Sequence, residues 1–510
     1  MARFTPAFVA ALVLLSSAAF LAAAPTASAA PIYYDETVVS FDGTRLATTV
    51  FVPAGATPNS LPFVLMTHGW AGQRVATPTG LVGQLLASGY GVLTWDSRGF
   101  GASGGEVMLN SPDYEVKDVS AIITHLTIRE QTVKKVNGDP VIGMAGGSYA
   151  GGIQLLAAAF DPRIDAIAPE ITWHDLSESL APNGVPKLYW TSLLLAAGAE
   201  SSCVNARNGN PVGAVRAAIS PINWATTGCQ TSDLARYYAM VHGTNSVPAE
   251  VRDALLYRSP KTYMADINVP TLLIQGFPDT LFDVNQAVAN FEGIKANGAP
   301  AKLWLYDGGH AHPEGPALPN TQAALIAPTV VNWFDRHLKG DTTVDTGAPV
   351  QYYAGGAWRS ATSWPDPASS ANTFTAGGIP SLAQGPVAGG PFASFTLPLA
   401  AGPTTLAGPA SVSFRASGNN VEGILFFALA VQNANGTTVA NAQVQPVRFQ
   451  LQPGSENTTL VQSDLVFVEA AVPENSNLVL TISSTHRDYN GNRVPGFVNL
   501  QDVQVQWTTL

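Results

Sequence analysis

Hydrophobic residues follow two different patterns along the chain, and the change between them predicts two folding units. Over residues 30–345, short apolar runs typical of buried strands alternate with segments of helical periodicity. This alternation predicts a mostly parallel sheet with helices on both faces. Over residues 346–510, helix signals disappear and short alternating segments are separated by Gly, Pro, Asn and Ser. This second pattern predicts an all-β sandwich of the jelly-roll type.

The strand–helix alternation is interrupted over residues 171–262, where helical pieces, prolines and aromatic residues replace the strand pattern. Strands are predicted again at 269–276 and 301–306, followed by a closing helix at 323–339. We therefore interpret the interruption as a helical cap inserted over the strand ends; a separate helical domain beside the sheet is the alternative. Residues 360–390, rich in Pro, Ala, Ser and Gly, predict a long connection or a set of loops.

The first 29 residues have the pattern of a secretory signal peptide. A single positive charge in Met1-Ala2-Arg3 precedes an apolar stretch at 8–21 and the small-x-small sequence Ala27-Ser28-Ala29. This arrangement predicts cleavage before Ala30 and a secreted protein that has no membrane contact afterwards. A membrane anchor is the alternative, because the apolar stretch is long.

Charge and cysteine content narrow the class of partner. Charged residues make up 12% of the chain, about half the usual share, and the net charge of −11 argues against a nucleic-acid partner. Cys203 and Cys229 are the two cysteines, and in an oxidising compartment such a pair most often forms a disulfide. Two free buried thiols are the alternative. Neither cysteine lies near a C-x-x-C or a histidine pair, so no metal site is indicated.

Residues 141–152 have the pattern of a nucleophile on a sharp turn. An apolar run leads into glycines around Ser148, and a helical segment follows. Small residues allow a tight strand-to-helix turn, and the helix N-terminus directs backbone N–H groups at a developing oxyanion. Gly146 stands two before the serine, whereas Ala150 replaces the usual glycine two after it. We predict that Ser148 is a catalytic nucleophile; a glycine-rich turn without chemistry is the alternative.

A serine nucleophile needs a base and an acid to orient that base. Asp279 lies just past a buried strand and is the best candidate acid, with Asp283 as competitor and a helix-capping role as the alternative. His310 follows the next predicted strand through two glycines and is favoured as base over His312. The order Ser148, Asp279, His310 is that of α/β-hydrolases.

Two backbone N–H groups are predicted to form the oxyanion hole. By geometry the first belongs to Tyr149, and the second should come from the loop after the strand at 61–67, with Trp70 as the candidate. His68-Gly69 in that loop could instead form only a tight turn. Asp96 and Arg98 are predicted to lock loops through a buried ion pair.

Further motifs occur in chain order. They are Phe41-Asp42-Gly43-Thr44-Arg45-Leu46, the loop at 96–105, Gly147-Ser148-Tyr149, Gly276-Phe277-Pro278-Asp279, Gly309-His310, the stretch at 333–340, and Tyr352-Tyr353 with Trp358 and Trp364-Pro365. Together they resemble the Xaa-Pro dipeptidyl-peptidase and cocaine-esterase family of α/β-hydrolases. The resemblance implies an α/β-hydrolase fold with a helical cap and a C-terminal jelly roll, acyl transfer through an acyl-serine, and no metal or organic cofactor.

One position departs from the family pattern. In this family a tyrosine hydroxyl after the third strand usually completes the oxyanion hole, whereas this chain has Trp70 there. The departure weakens the expectation of Xaa-Pro specificity more than that of hydrolysis. An aminopeptidase also needs carboxylates for the substrate's amine; Glu170, Asp175 and Glu178 at the cap entrance are candidates, or else solvated helix-cap charges.

Three functional hypotheses follow from these patterns. The first is a secreted serine hydrolase that cleaves Xaa-Pro dipeptides or related amides. The second is a carboxylesterase that uses the same residues on small acyl esters. The third is a carbohydrate-binding protein with an inert hydrolase domain, and the intact Ser–Asp–His order speaks against it.

Overall fold

The computed structural model describes residues 30–135, 137–203, 232–310, 321–385, 394–453 and 458–510. Within these residues the chain forms a ten-stranded mixed sheet flanked by helices and a sandwich of two five-stranded antiparallel sheets. The predicted signal peptide, Cys229 and His312 lie outside them, so cleavage and the Cys203–Cys229 disulfide stay predictions. None of the described helices is long and apolar enough to cross a membrane.

The first part of the chain builds the large sheet and the cap. In chain order its elements are β1 (Ile32–Val39), β2 (Arg45–Val52), β3 (Phe63–Met66), α1 (Gly80–Ala87), β4 (Gly91–Trp95), α2 (Glu115–Thr127), β5 (Ile142–Gly147), α3 (Tyr149–Phe160), β6 (Ile164–Glu170), α4 (Leu176–Leu180), α5 (Leu188–Cys203), α6 (Ser232–Thr244), α7 (Ala249–Leu256), β7 (Thr271–Gly276), α8 (Val284–Ala296), β8 (Ala301–Tyr306), α9 (Ile326–His337), β9 (Val350–Ala354) and β10 (Ala357–Ala361).

The strand order of the large sheet is β1-β2-β4-β3-β5-β6-β7-β8-β9-β10. The seven strands β3 to β9 run parallel to one another, whereas β1, β2 and β10 are antiparallel to their neighbours. Because parallel strands end at the same edge, the loops after β5, β7 and β8 meet above the sheet. The predicted α/β-hydrolase sheet is therefore confirmed.

Apolar clusters cover both faces of this sheet. Val119 of α2, Leu156 of α3 and Phe291 of α8 pack on one face, while Leu85 of α1 and Phe334 of α9 pack on the other. All five side chains are buried, as expected for strands that are hydrophobic on both sides. This packing holds the strand ends in place. The loops that follow the strands and carry the polar residues are therefore held in place as well.

The sandwich begins later than the sequence predicts. The sequence pattern predicts the sandwich from residue 346, whereas β9 pairs in parallel with β8, and β10 pairs with β9. The reason lies in the packing: Tyr352 is buried in the sheet core, and Trp358 packs against Trp304 with ring centroids 4.7 Å apart and the rings tilted by 33°. The motif at 352–358 therefore completes the large sheet.

The loops predicted over 360–390 are also incorrect for most of that segment. A fifteen-residue strand, β11 (Ser370–Gln384), pairs antiparallel with the last strand of the chain. Its many small residues give no clear alternation of hydrophobicity, yet the backbone still pairs along its length. Periodicity fails here because pairing depends on the backbone and on the neighbouring strand.

The remaining strands complete the sandwich. They are β12 (Ser394–Ala401), β13 (Thr404–Gly418), β14 (Glu422–Asn433), β15 (Gly436–Val439), β16 (Gln445–Gln450), β17 (Thr459–Asp464), β18 (Val468–Val472), β19 (Asn477–Ser483) and β20 (Gly496–Thr509). One sheet has the order β11-β20-β13-β17 with β18 on β13, and the other β12-β19-β14-β15 with β16 on β14. Phe414 and Phe427 stack between them at 5.4 Å.

The cap is helical in its described parts, α4 to α7, and lies between the strand ends and the sandwich. Val185, just before α5, packs with Phe426 and Tyr489 of the sandwich. The side-chain amide of Asn183 donates to the carbonyl of Pro446 at 2.9 Å. The cap therefore contacts both other parts of the molecule.

The predicted ion pair between Asp96 and Arg98 is not formed. Asp96 pairs with Arg74 at 2.6 Å, and Arg98 pairs with Asp118 of α2 at 2.6 Å. The loop after β4 turns between the two side chains, so each meets a different neighbour. Both still lock loops in buried positions, as expected.

We predict that Gly152→Ala in α3 destabilises the protein. An added Cβ would lie 2.3 Å from the ring of buried Trp173. Overpacking of this kind costs about 1–3 kcal/mol, more than the roughly 0.5–1 kcal/mol by which alanine favours a helix. The measurement is the urea unfolding midpoint.

Gly243→Ala in α6 is the matched control, because an added Cβ there meets no atom within 4 Å. This variant should be stabilised by about 0.5–1 kcal/mol. Equal midpoints for the two variants would contradict the packing described for α3.

Candidate active site

Ser148 occupies the turn between β5 and α3 with φ 60° and ψ −122°. A positive φ is strained for a residue with a Cβ and is typical of functional turns. Gly146 makes the turn possible, since a Cβ there would lie 2.9 Å from the Cβ of Ala150. Ala150 thus fits where a glycine was expected because Gly146 leaves it room.

The structure brings the three predicted catalytic residues into one hydrogen-bonded chain. Ser148 Oγ lies 2.8 Å from His310 Nε2, and His310 Nδ1 lies 2.7 Å from Asp279 Oδ2. The residues follow β5, β8 and β7, whose ends meet at one edge of the sheet. The geometry is that of a nucleophile, a base and an orienting acid.

Asp279 is fully buried, and donors surround its carboxylate. Oδ1 accepts the backbone N–H groups of Leu281 and Phe282, both at 3.0 Å, and Oδ2 also accepts that of His310 at 3.0 Å. The competitor Asp283 lies at the N-cap position of α8 without a side-chain capping bond, and burial raises its pKa. The imidazole therefore bonds to Asp279.

Two glycines allow the acid loop and the histidine loop to touch. A Cβ on Gly276 would lie 1.6 Å from the carbonyl oxygen of Gly308. Gly309 has φ 132°, and a Cβ there would lie 2.6 Å from that of Asp279. Gly276 and Gly309 therefore permit the two loops to approach each other closely.

The loop after β3 lies beside Ser148, as predicted for an oxyanion hole. A Cβ on Gly69 would be 3.8 Å from that of Ser148. The neighbouring Trp70 donates its indole N–H to the carbonyl of Leu194 in α5 at 2.7 Å, which anchors the cap to this loop. Because the indole N–H is already bonded, only the backbone N–H of Trp70 is left to bind an oxyanion. That role of the backbone N–H stays a prediction.

Tyr149 begins α3, so its backbone N–H has no partner within the helix. Its side chain is held by residues that the sequence analysis missed. The backbone N–H of Asn110 donates to its hydroxyl at 3.0 Å, and that hydroxyl lies 3.3 Å from a carboxylate oxygen of Glu115. Burial raises the pKa of Glu115 to about 7. No sequence motif marked either residue.

The three carboxylates predicted to bind an amine are engaged elsewhere. Glu170 accepts the hydroxyl of Tyr306 at 2.9 Å, and burial raises its pKa. Asp175 caps α4 and pairs with Lys261 at 3.0 Å. Glu178 accepts a backbone N–H at 2.8 Å within the cap. The amine-binding role predicted for them finds no support in this geometry.

A cavity opens above Ser148 between the sheet and the cap. Aliphatic and aromatic side chains form most of its wall, among them Trp173, Leu180, Leu194, Val251 and Phe282. Among the described residues that line it, none is an Asp, Glu, Lys or Arg. The cavity thus suits an apolar group next to the reactive serine.

His242 is a polar residue in this wall. Its Nδ1 lies 3.1 Å from the amide nitrogen of Asn490, a donor, so Nδ1 acts as acceptor. Its Nε2 lies 2.8 Å from the hydroxyl of Thr191, whose own proton goes to the carbonyl of Lys187 at 2.7 Å. Burial lowers the pKa of His242 to about 4, so the imidazole is neutral at neutral pH.

A serine oxygen bonded to an imidazole, with a carboxylate behind it, is the arrangement of a serine hydrolase. Comparison with known proteins agrees: residues 42–312 match the family described as X-Pro dipeptidyl-peptidase (S15 family). The chain belongs to this family and is a serine hydrolase of the α/β-hydrolase fold. This membership speaks against the hypothesis of an inert hydrolase domain, while carbohydrate binding by the sandwich stays a prediction.

Curated relatives include an esterase. The chain is 27% identical over 362 residues to cocaine esterase from Rhodococcus sp. (strain MB1 Bresler), covering 66% of this chain and 61% of that protein. It is 28% identical over 159 residues to the quorum-quenching protein AidA of Acinetobacter baumannii (strain MDR-ZJ06), covering 31% of this chain. That second match spans about half the length of the relative, 51%.

Solved structures share the whole architecture. An α-amino acid ester hydrolase superposes with a TM-score of 0.72 at 16% identity, over 96% of this chain and 98% of the other. An aminopeptidase from a Thaumarchaeota archaeon gives 0.71 at 13% identity, over 94% and 96%. A CocE/NonD family hydrolase from Staphylococcus aureus gives 0.69 at 16% identity, over 94% of both chains. At these identities the likeness shows the fold.

We predict that His242→Gln weakens the acid sensitivity of the fold. The unfolded histidine binds a proton below its ordinary pKa of about 6.5, whereas the folded one does so only near 4. Stability from His242 is therefore fully present above pH 6.5 and is lost as the pH falls toward 4. Glutamine does not titrate and should remove this contribution.

The measurement is the thermal midpoint of wild type and variant between pH 4 and 8. The difference between the two proteins should change through the window from about pH 6.5 to 4. Two curves that stay parallel over that window would contradict a neutral buried imidazole.

Proposed function

We propose that this protein is a secreted carboxylesterase that acts on esters with an apolar acyl group. Ser148 is the nucleophile, His310 the general base and acid, and Asp279 the orienting carboxylate. The observation that carries the proposal is the Ser148–His310–Asp279 hydrogen-bonded chain at the floor of an apolar cavity. The signal-peptide pattern of residues 1–29 supports export.

The reaction proceeds through an acyl-serine. As Ser148 Oγ attacks the ester carbonyl, its proton passes to His310 Nε2, while Asp279 holds the proton on Nδ1. The backbone N–H groups of Tyr149 and Trp70 receive the oxyanion. The protonated imidazole then protonates the leaving alcohol. Water, deprotonated by the same imidazole, attacks the acyl-serine, and release of the carboxylic acid restores the hydroxyl of Ser148.

The charge of the cavity favours an ester over an N-terminal dipeptide. A dipeptidyl-peptidase must hold a protonated amine, and burying that cation without a carboxylate is costly. The described residues of the cavity wall include no carboxylate. Cocaine esterase among the relatives is consistent with an ester substrate.

Xaa-Pro dipeptidyl-peptidase activity is the second candidate, because the matching family carries that description. Both activities would use the same three residues, so they differ only in how the acyl side of the substrate is held. Substrate preference, measured on one enzyme preparation, separates them.

We predict that a fluorophosphonate probe labels wild-type protein and leaves Ser148→Ala unlabelled. Asp279→Asn should keep the serine but lower kcat by about 10⁴-fold, because the imidazole loses the carboxylate that fixes its tautomer. The measurements are in-gel fluorescence and steady-state hydrolysis of p-nitrophenyl butyrate. Asp283→Asn is the matched control and should retain most of the activity. Labelling of Ser148→Ala would remove this nucleophile.

We predict higher kcat/KM for p-nitrophenyl butyrate than for Gly-Pro-p-nitroanilide. Leu194→Trp, which narrows the cavity, should lower turnover of butyrate more than that of acetate. Leu193→Trp is the matched control: the side chain next along α5 is exposed and does not line the cavity. Faster cleavage of the dipeptide substrate would instead favour the peptidase.

A further inference from the structure

The loop after β7, which carries Asp279, is held by a side chain from the sandwich. Gln443 lies in the segment between β15 and β16, far along the chain, and its side chain is buried. Its amide nitrogen donates to the carbonyl of Phe277 at 2.8 Å and to the carbonyl of Asp279 at 2.8 Å. A primary amide has two N–H donors, so both are used on this loop.

The turn before Gln443 is strained in a way that fixes its position. Asn441 and Ala442 have φ values of 50° and 57°, which are unfavourable for residues with a Cβ. The backbone N–H of Gln443 closes the turn on the carbonyl of Ala440 at 3.0 Å, and Asn441 accepts the backbone N–H of Glu469 in β18. Strain of this kind persists only where surrounding contacts hold it.

The cap holds the same loop from another direction. Lys187 donates to the carbonyls of Thr280 and Leu281, both at 2.9 Å, and burial lowers its pKa. Trp190 donates its indole N–H to the hydroxyl of Thr280 at 3.1 Å. Carbonyls on both sides of the acid are therefore fixed by side chains from outside the sheet.

We propose that Gln443 is a positioning residue for the reaction, acting through Asp279; this rests on the proposed function, in which Asp279 orients the base. The carboxylate takes its direction from the backbone of residues 277–282, since Oδ1 is bound to N–H groups of that loop. Without the amide, two buried carbonyls lose their donors, and the loop shifts to find others. A shift of about 1 Å at such a site costs roughly 10²-fold in rate.

The test is Gln443→Met, which keeps the length of the side chain and removes both donors. Its kcat for p-nitrophenyl butyrate, per serine titrated with fluorophosphonate, should fall about 10- to 100-fold. KM should stay within about twofold, since Gln443 does not line the cavity. In an Asp279→Asn background the same substitution should have little further effect, because residues that act through one another are not additive.

Asn285→Leu is the matched control for a purely structural role. Asn285 joins α8 to the sandwich through the carbonyl of Leu465 at 3.2 Å and the N–H of Phe467 at 2.9 Å, without contacting the acid loop. It should lower the melting temperature but keep kcat per titrated serine. In Gln443→Asn the amide lies one methylene closer to the backbone, so the loss in kcat per titrated serine should be smaller than in Gln443→Met. This variant replaces Gln443→Met in the test if the Met variant does not fold.

Two outcomes would overturn the inference. One is full kcat per titrated serine in both Gln443 variants while Asp279→Asn is impaired. The other is a kcat loss in Gln443→Met that is equally large in the Asp279→Asn background. Normal activity of Asp279→Asn itself would instead refute the role assigned to the acid, and with it the proposed function.

Discussion

A fully buried carboxylate at the end of β7 is the constraint on which this structure depends. A charge removed from water must be met by donors, and the four hydrogen bonds to Asp279 come from its own loop and from His310. Those donors are useful only if the loop keeps its shape. Side chains from the cap and the sandwich, Lys187 and Gln443, bind the carbonyls of that loop. The three parts of the molecule therefore converge on one short segment.

The sequence predicted the hydrolase sheet and the residues at its strand ends well. Ser148, Asp279 and His310 each follow an apolar run next to glycines, and parallel strands bring such positions to one edge. These features are local in sequence, so a pattern can reveal them. The nucleophile prediction was correct although Ala150 replaces the usual glycine, because the absence of a side chain at Gly146 leaves space for the Cβ of Ala150.

Features that depend on partners distant in sequence were not predicted. The strands β9 and β10 join the large sheet because β8 offers an unpaired edge, which periodicity cannot report. The predicted pairing of Asp96 with Arg98 was wrong because loop geometry gave each a different neighbour. Gln443 is an ordinary polar residue in a β-rich stretch, and only the fold places it against residues 277 and 279.

The cap provides many of the side chains that line the cavity above Ser148. The indole of Trp70, at the position where the resemblance led us to expect a tyrosine hydroxyl, ties the loop after β3 to α5. One anchoring bond thus couples the cap to the predicted oxyanion loop. The aliphatic and aromatic wall that results limits the polarity of what can rest beside Ser148.

The contact made by Gln443 also limits the exchange of the sandwich between related proteins. The family model matches residues 42–312 and leaves the C-terminal sandwich outside the matched segment. A chimera that received a foreign sandwich would leave two peptide oxygens beside the acid without their amide, unless the graft supplied an equivalent side chain at the same turn. A chimera should therefore keep the hydrolase domain and its own sandwich together, which is a longer segment than the one that the family model matches.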